Sequence, residues 1–141
     1  MNAVYALGAY PIGTLSDRMP ARNLLAAGLV ALIAADLALA FLPGIPGAFI
    51  GIALWGLHMA STQGLLAKLV ADQAPAELRG SAFGIFNLAT GVALLLASVI
   101  AGVLWDRYGA AATFSVGAAF AAVALMSLVV FFSPRSSGQS G

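Results

Sequence analysis

The sequence predicts an all-α membrane protein with four complete transmembrane helices and one shorter apolar segment before them. Of its 141 residues, 62% are hydrophobic and only 8% are charged, whereas ordinary globular domains have about 45–50% and about 25%. The mean hydropathy is +1.01, and long stretches without charge recur along the chain. A domain of this size cannot bury so many apolar side chains, so its surface must face lipid.

Charge and residue content exclude several classes of function. The formal net charge of +1 indicates neither a nucleic-acid partner nor a polybasic membrane anchor. Because cysteine is absent, disulfides, thiol catalysis and cysteine metal sites are excluded. The single histidine and the lack of carboxylates paired at acid–base spacing leave no catalytic constellation. We therefore predict no enzyme activity, no catalytic residue, no metal site and no cofactor.

The helices follow from the charge-free stretches, because about 20 apolar residues are needed to cross roughly 30 Å of hydrocarbon. The first apolar segment, at about residues 3–15, is too short to span and is expected to be the end of a longer helix. Complete crossings are expected at about residues 24–42, 46–70, 81–104 and 110–132. The PGIPG sequence at residues 43–47 favours a turn, WDRY at residues 105–108 is expected to be a loop, and residues 133–141 have the composition of a disordered tail.

The basic residues predict the orientation, since short cytoplasmic loops are enriched in lysine and arginine. If the helices alternate in direction, five of the six basic residues fall at one end, and only Arg107 falls at the other. The five are Arg18, Arg22, Lys68, Arg79 and Arg135. We expect this end, with the carboxyl terminus, to be cytoplasmic in a multi-pass protein of the bacterial plasma membrane.

Three loops carry motifs that resemble those of one family. GTLSDRMPAR at residues 13–22 resembles the G-x-L-x-D-R-x-G-R loop of the major facilitator superfamily, with Pro20 where the family usually has glycine. The alternative interpretation is an ordinary positive-inside loop. PAELRGSAFG at residues 75–84 resembles the family's P-x-x-x-R-G-x-A-x-G loop, and AGVLWDRYG at residues 101–109 resembles its A-G-x-L-x-D-x-x-G loop.

This resemblance covers nearly the whole chain and implies both a fold and a mechanism. The order of the motifs implies helices nine to twelve of a twelve-helix permease, which is most of its C-terminal six-helix half, with residues 3–15 as the end of helix eight. In the family, two such halves rock around a midplane substrate site, and the aspartate of the first motif braces one conformation against a helix amino terminus, which carries about half a positive charge. The implied conformational-switch residues are Gly13, Asp17, Arg18, Arg22, Arg79 and Gly80.

Two ionisable residues, Asp36 and His58, lie in the interior of the predicted spans rather than at their ends, and such residues are candidates for function. Successive helix positions are 100° apart, so Trp55, His58, Ser61 and Thr62 share one face, and the resemblance makes this helix ten, which lines the transport path. His58 is a candidate to bind substrate or a proton, or it is a buried histidine bonded to a neighbouring helix. Asp36 lies about 9 Å from the outer end of its helix. It is a candidate proton or cation site, and the alternative is a carboxylate held by a neighbouring helix or by interfacial water.

Weaker candidates lie on the last two helices. Asn87 and Thr90 share one helix face. We expect them either to contact substrate or to form interhelical hydrogen bonds. Small residues at every fourth position from Gly109 to Ala121 predict close helix packing.

Two main functional hypotheses follow. The first is transport of a small organic solute by alternating access, with proton-coupled export, as part of a major facilitator transporter. Its partners are the solute, protons, the lipid bilayer and the missing N-terminal half, and no nucleic acid is expected. The second is a truncated, non-transporting membrane protein or a structural partner of another chain. A homodimer in which two short chains rebuild the pathway is a further alternative.

Overall fold

The computed structural model describes residues 19–131, and this part of the chain is helical with no β-strand. Helix α1 is Ala21–Phe41 and helix α2 is Gly44–Gln73, followed by a short 3-10 turn at Ala76–Leu78 and a helical stretch at Arg79–Phe131. The first predicted segment, about residues 3–15, and the predicted tail, residues 133–141, lie outside the described residues. The expected all-α fold class is confirmed.

Proline and glycine set the turn between α1 and α2. Leu42 and Pro43 are extended, and Gly44 has φ +75°, a conformation that residues with a Cβ rarely adopt. Pro46 lies in the first turn of α2, where its missing N–H has no intrahelical partner to lose. The helix therefore begins two residues before the predicted start at residue 46. It also continues three residues past the predicted end at residue 70, up to Gln73.

The long helical stretch Arg79–Phe131 consists of two helices. Gly109 has φ +81° and ψ −179°, which breaks the helix and divides it into α3, residues 79–108, and α4, residues 110–131. The predicted loop at residues 105–108 is instead the last turn of α3, because no helix-breaking residue occurs before Gly109. Trp105 of α3 packs edge-on against Phe114 of α4, with ring centroids 6.0 Å apart.

Helix α1 lies between α2 and α4 and is antiparallel to both. Gly28 of α1 faces Thr62 of α2, and Gly51 of α2 faces Leu39 of α1, so the α1–α2 hairpin is closely packed along its length. On its other side, Asp36 of α1 faces Gly117 of α4. The buried hydrophobic residues are mostly small, which allows this close approach: they are Leu24, Ala31, Ala35, Ala38, Ala60, Leu65, Ala118 and Ala121.

The outer surface of the described residues is strongly apolar. Large side chains such as Ile85, Leu95 and Val130 are 64–70% exposed, and an apolar surface of this extent is expected where a protein faces lipid rather than water. Three helical stretches are long and apolar enough to cross a membrane: Ala21–Phe41, Gly44–Gln73 and Ala76–Val130, the last of which contains the break at Gly109. Helix α3 contributes little to the packed centre and is exposed along most of its length.

Candidate functional site

His58 joins α2 to α1 through a hydrogen bond to the backbone. Its Nδ1 lies 2.8 Å from the carbonyl oxygen of Gly28. A carbonyl only accepts, so Nδ1 carries the proton and donates. In the neutral imidazole this leaves Nε2 as an acceptor. The bond therefore defines the tautomer of the ring as well as its orientation.

Ser61 and Thr62 lie beside His58 at the same contact. Both are buried, with 6% and 7% of their surfaces exposed. The Ser61 hydroxyl donates to the carbonyl of Leu57 at 2.9 Å, and that of Thr62 donates to the carbonyl of His58 at 2.8 Å. Both hydroxyls are therefore already bonded within α2, and both side chains pack around Gly28.

The face of α2 predicted to line the transport path is divided in the structure. His58, Ser61 and Thr62 meet at Gly28 of α1, whereas Trp55 is 42% exposed and lies away from this contact. The histidine is thus bonded to a neighbouring helix, which was one of the two alternatives for it. The sequence did not identify Gly28, since a glycine carries no chemical signal in a single sequence.

His58 also lines a groove between α1, α2 and α4. The groove has a volume of about 510 Å³ and is mostly apolar. Among the described lining residues, the one hydroxyl outside α2 belongs to Ser127. The sequence did not single out this residue, which donates to the carbonyl of Val123 at 2.9 Å. The lining residues are Leu25, Leu29, His58, Thr62, Leu66, Ala124, Ser127 and Leu128. The groove is large enough for a small organic molecule, since ligand pockets measure about 300–1,000 Å³.

Asp36 lies apart from His58 and faces α4. A Cβ added to Gly117 would be 2.8 Å from the Asp36 Oδ2, so the carboxyl group occupies the space that a side chain on Gly117 would fill. Asp36 is half-buried, and within residues 19–131 it forms no hydrogen bond or ion pair. Eight residues separate Gly28 from Asp36 along α1, or about 12 Å. The structure therefore does not bring the two ionisable candidates into one site.

Asn87 and Thr90 are exposed on α3. The Thr90 hydroxyl donates to the carbonyl of Phe86 in its own helix at 2.8 Å, so it does not form the expected interhelical bond within the described residues. Neither side chain contacts the groove beside His58.

The predicted switch residues are only partly described. Gly13, Asp17 and Arg18 lie outside the described residues. Arg22 is in the first turn of α1, and Arg79 and Gly80 begin α3. Because consecutive helices are antiparallel, these three residues lie at the same end of the bundle. Among residues 19–131, no group of three histidine, cysteine or acidic side chains could hold a metal ion.

The sequence matches the family profile of the Major Facilitator Superfamily over residues 1–141. The fold and this match together define an integral, multi-pass membrane protein of a family of transporters. The chain belongs to the major facilitator superfamily.

A curated relative agrees with this assignment. The chain is 31% identical over 104 residues to an uncharacterized MFS-type transporter of Methanocaldococcus jannaschii, a match that covers 74% of this chain and 26% of the relative. The chain thus spans about a quarter of the length of that relative. No solved structure matches the chain.

Proposed function

We propose that this chain forms part of the C-terminal half of a secondary transporter that moves a small solute by alternating access, in the export direction and coupled to protons. The observation that carries the proposal is the family match along all 141 residues. The described helices fit this role, because their apolar outer surface suits a bilayer and their packed centre is small. A pathway of this type also needs an N-terminal half.

Charge distribution supports an orientation for the proposed transporter. Arg22, Lys68 and Arg79 all lie at one end of the antiparallel helices, and Arg107 lies at the other, next to Asp106. By the positive-inside tendency, the end with the three cations is cytoplasmic. We propose that the carboxyl terminus is on the same side, in a bacterial plasma membrane, with Arg22, Arg79 and Gly80 in the loops that change conformation together with Gly13, Asp17 and Arg18.

His58 is the residue proposed to respond to solute or protons. Its Nδ1 is engaged by Gly28, so Nε2 is the ring nitrogen left to bind a donor, and the ring borders the groove of about 510 Å³. Protonation of Nε2 would replace an acceptor with a donor in this groove.

A transport assay tests the proposal. The protein assayed is this chain, expressed together with any in-frame coding sequence that lies upstream of Met1. The assay measures accumulation of ethidium and of Nile red in cells that lack their main exporters, with and without a protonophore. We expect lower accumulation of at least one dye than in vector controls, and loss of the difference when the proton gradient collapses. His58→Gln should reduce this export.

The matched control is Ser115→Ala. The Ser115 hydroxyl donates to the carbonyl of Ala111 in its own helix at 2.7 Å, so its removal leaves the α1–α2 contact unchanged, and export should persist. Equal accumulation of both dyes in cells with the complete protein and with the empty vector would contradict transport. It would favour the non-transporting membrane protein instead. Normal export by His58→Gln would contradict only the role of His58.

A further inference from the structure

The contact between Asp36 and Gly117 points to a site outside the groove at His58. Asp36 lies about 9 Å from Leu42 along the helix, which is too deep for its short side chain to reach the headgroup region as lysine or arginine side chains do. Its carboxyl group lies against a backbone surface of α4 that has no side chain, 2.8 Å from the position of an added Cβ. Gly117 thus creates the space that the carboxyl group fills.

Within residues 19–131, the neighbours of Asp36 supply no compensating charge. Helix α4 has no titratable residue in residues 110–131. The titratable residues of α2 are His58, Lys68 and Asp72. His58 contacts α1 at Gly28, two helical turns from Asp36. Lys68 and Asp72 lie still further from Asp36, towards the opposite end of the bundle.

Helix α3 does not compensate the charge either. Its titratable residues, Arg79, Asp106, Arg107 and Tyr108, are all exposed at its two ends. Among the described residues, therefore, no cation faces Asp36, and no donor binds it. An ionised carboxylate in such surroundings is costly, whereas the protonated acid is much less so.

We propose that Asp36 is a proton-binding site that is occupied when α1 and α4 are packed together at Gly117. The proton comes from bulk water and binds a carboxylate oxygen to give the neutral acid, and it returns to water when separation of the two helices hydrates the carboxyl group. The proposal rests on the proposed proton coupling for its role in transport. The site itself is a chemical property of the packed helices, and it differs from the groove in both position and ligand.

The test uses dicyclohexylcarbodiimide, an apolar reagent that adds to protonated carboxylic acids. The full chain is reconstituted in phosphatidylcholine vesicles and treated over a range of pH, and labelled peptides are quantified by mass spectrometry. A carboxyl group in water is only about one part in a thousand protonated at neutral pH. We expect Asp36 to be labelled about tenfold or more above Asp72, an exposed residue near the end of α2, and to lose this labelling as the pH rises.

Gly117→Ala provides the variant specific to this contact. The added methyl group takes the place of the carboxyl group, so Asp36 is pushed towards water, and the pH at which labelling is half lost should fall. Gly102→Ala is the control, because a Cβ there has no neighbour within 4 Å, and its labelling profile should match that of the wild type. If Gly117→Ala does not fold, the wild-type pH profile and Asp36→Asn carry the test. The amide should leave folding intact and abolish labelling of this peptide.

Three outcomes would overturn the proposal: labelling of Asp36 no greater than that of Asp72, labelling of Asp36 that does not depend on pH, or suppression of the labelling by sodium ions at constant pH. The last result would identify a cation site. Failure of dye export with normal Asp36 labelling would reject the transport proposal and leave the proton site standing. Normal proton-dependent export without labelling of Asp36 would reject the proton site and leave the transport proposal standing.

Discussion

Replacement of Gly28 by alanine should weaken the bundle through the contact that holds α1 to α2. The new Cβ would be 2.8 Å from Cγ2 of Thr62 and 3.3 Å from Cβ of Ser61. The first distance is 0.6 Å shorter than the lower limit of 3.4 Å for ordinary contact. Rotation of Thr62 would relieve the clash only by breaking the hydrogen bond from its hydroxyl to the carbonyl of His58. Separation of the helices would instead lengthen the bond between His58 and Gly28.

The expected magnitude follows from these alternatives. Overpacking a close contact costs about 1–3 kcal/mol, and an interhelical hydrogen bond in a membrane contributes about 0.6 kcal/mol. Alanine also favours a helix over glycine by about 1 kcal/mol, which would partly mask the clash. Gly64→Ala in α2 makes the same chemical change where a Cβ has no neighbour within 4 Å. We therefore expect Gly28→Ala to be less stable than Gly64→Ala by about 1–3 kcal/mol.

The measurement is the free energy of unfolding of each variant in mixed detergent micelles, obtained by titration with a denaturing detergent and followed by tryptophan fluorescence. Both variants are compared with the wild type under identical conditions. Equal stability of Gly28→Ala and Gly64→Ala would refute the close contact between Gly28 and Thr62. It would also remove the geometric basis for the His58 hydrogen bond.

The same unfolding assay tests three further expectations. Gly109→Ala should lose about 1–3 kcal/mol of unfolding free energy, because φ +81° strains the backbone of a residue with a Cβ. Gly102→Ala should not lose this stability. Equal stability of the two variants would show that the turn adapts to a side chain. A double-mutant cycle of Trp105→Leu and Phe114→Leu should give a coupling of about 0.5–1.5 kcal/mol, and additive effects would mean that the rings do not interact. Thr90→Val should change stability by no more than about 0.5 kcal/mol, because its hydroxyl bonds only within α3; a larger loss would indicate a partner for that hydroxyl.

Periodicity and helix-breaking residues predicted much of the local structure. The turn after α1 was expected from proline and glycine at residues 43–47, and the structure places Gly44 there at positive φ. The polar residues 105–108 were less informative, because aspartate and arginine are compatible with the end of a helix. Only Gly109 stops α3. A break was thus predicted in the right region, but its position depended on backbone freedom rather than on polarity.

Contacts between helices were much less predictable than the helices themselves. Helical geometry placed His58, Ser61 and Thr62 on one face, yet it could not tell what covers that face. The partner is Gly28, a residue without a side chain, and its alignment with Thr62 depends on how two helices fit together. In the same way, the sequence indicated that Asp36 was unusual but gave no means of pairing it with Gly117 on a distant helix.

The contact between Asp36 and Gly117 has a consequence for biosynthesis. The two residues are 81 positions apart in the chain, and ribosomes add about 5–20 residues per second. About 4–16 s therefore pass between the synthesis of Asp36 and that of Gly117, the part of α4 that covers the carboxyl group. During that time α1 must keep its acidic group protonated or in contact with water of the insertion machinery. Helix α4 thus completes the membrane compatibility of α1, and a ribosome that stalls within α3 leaves α1 without that cover.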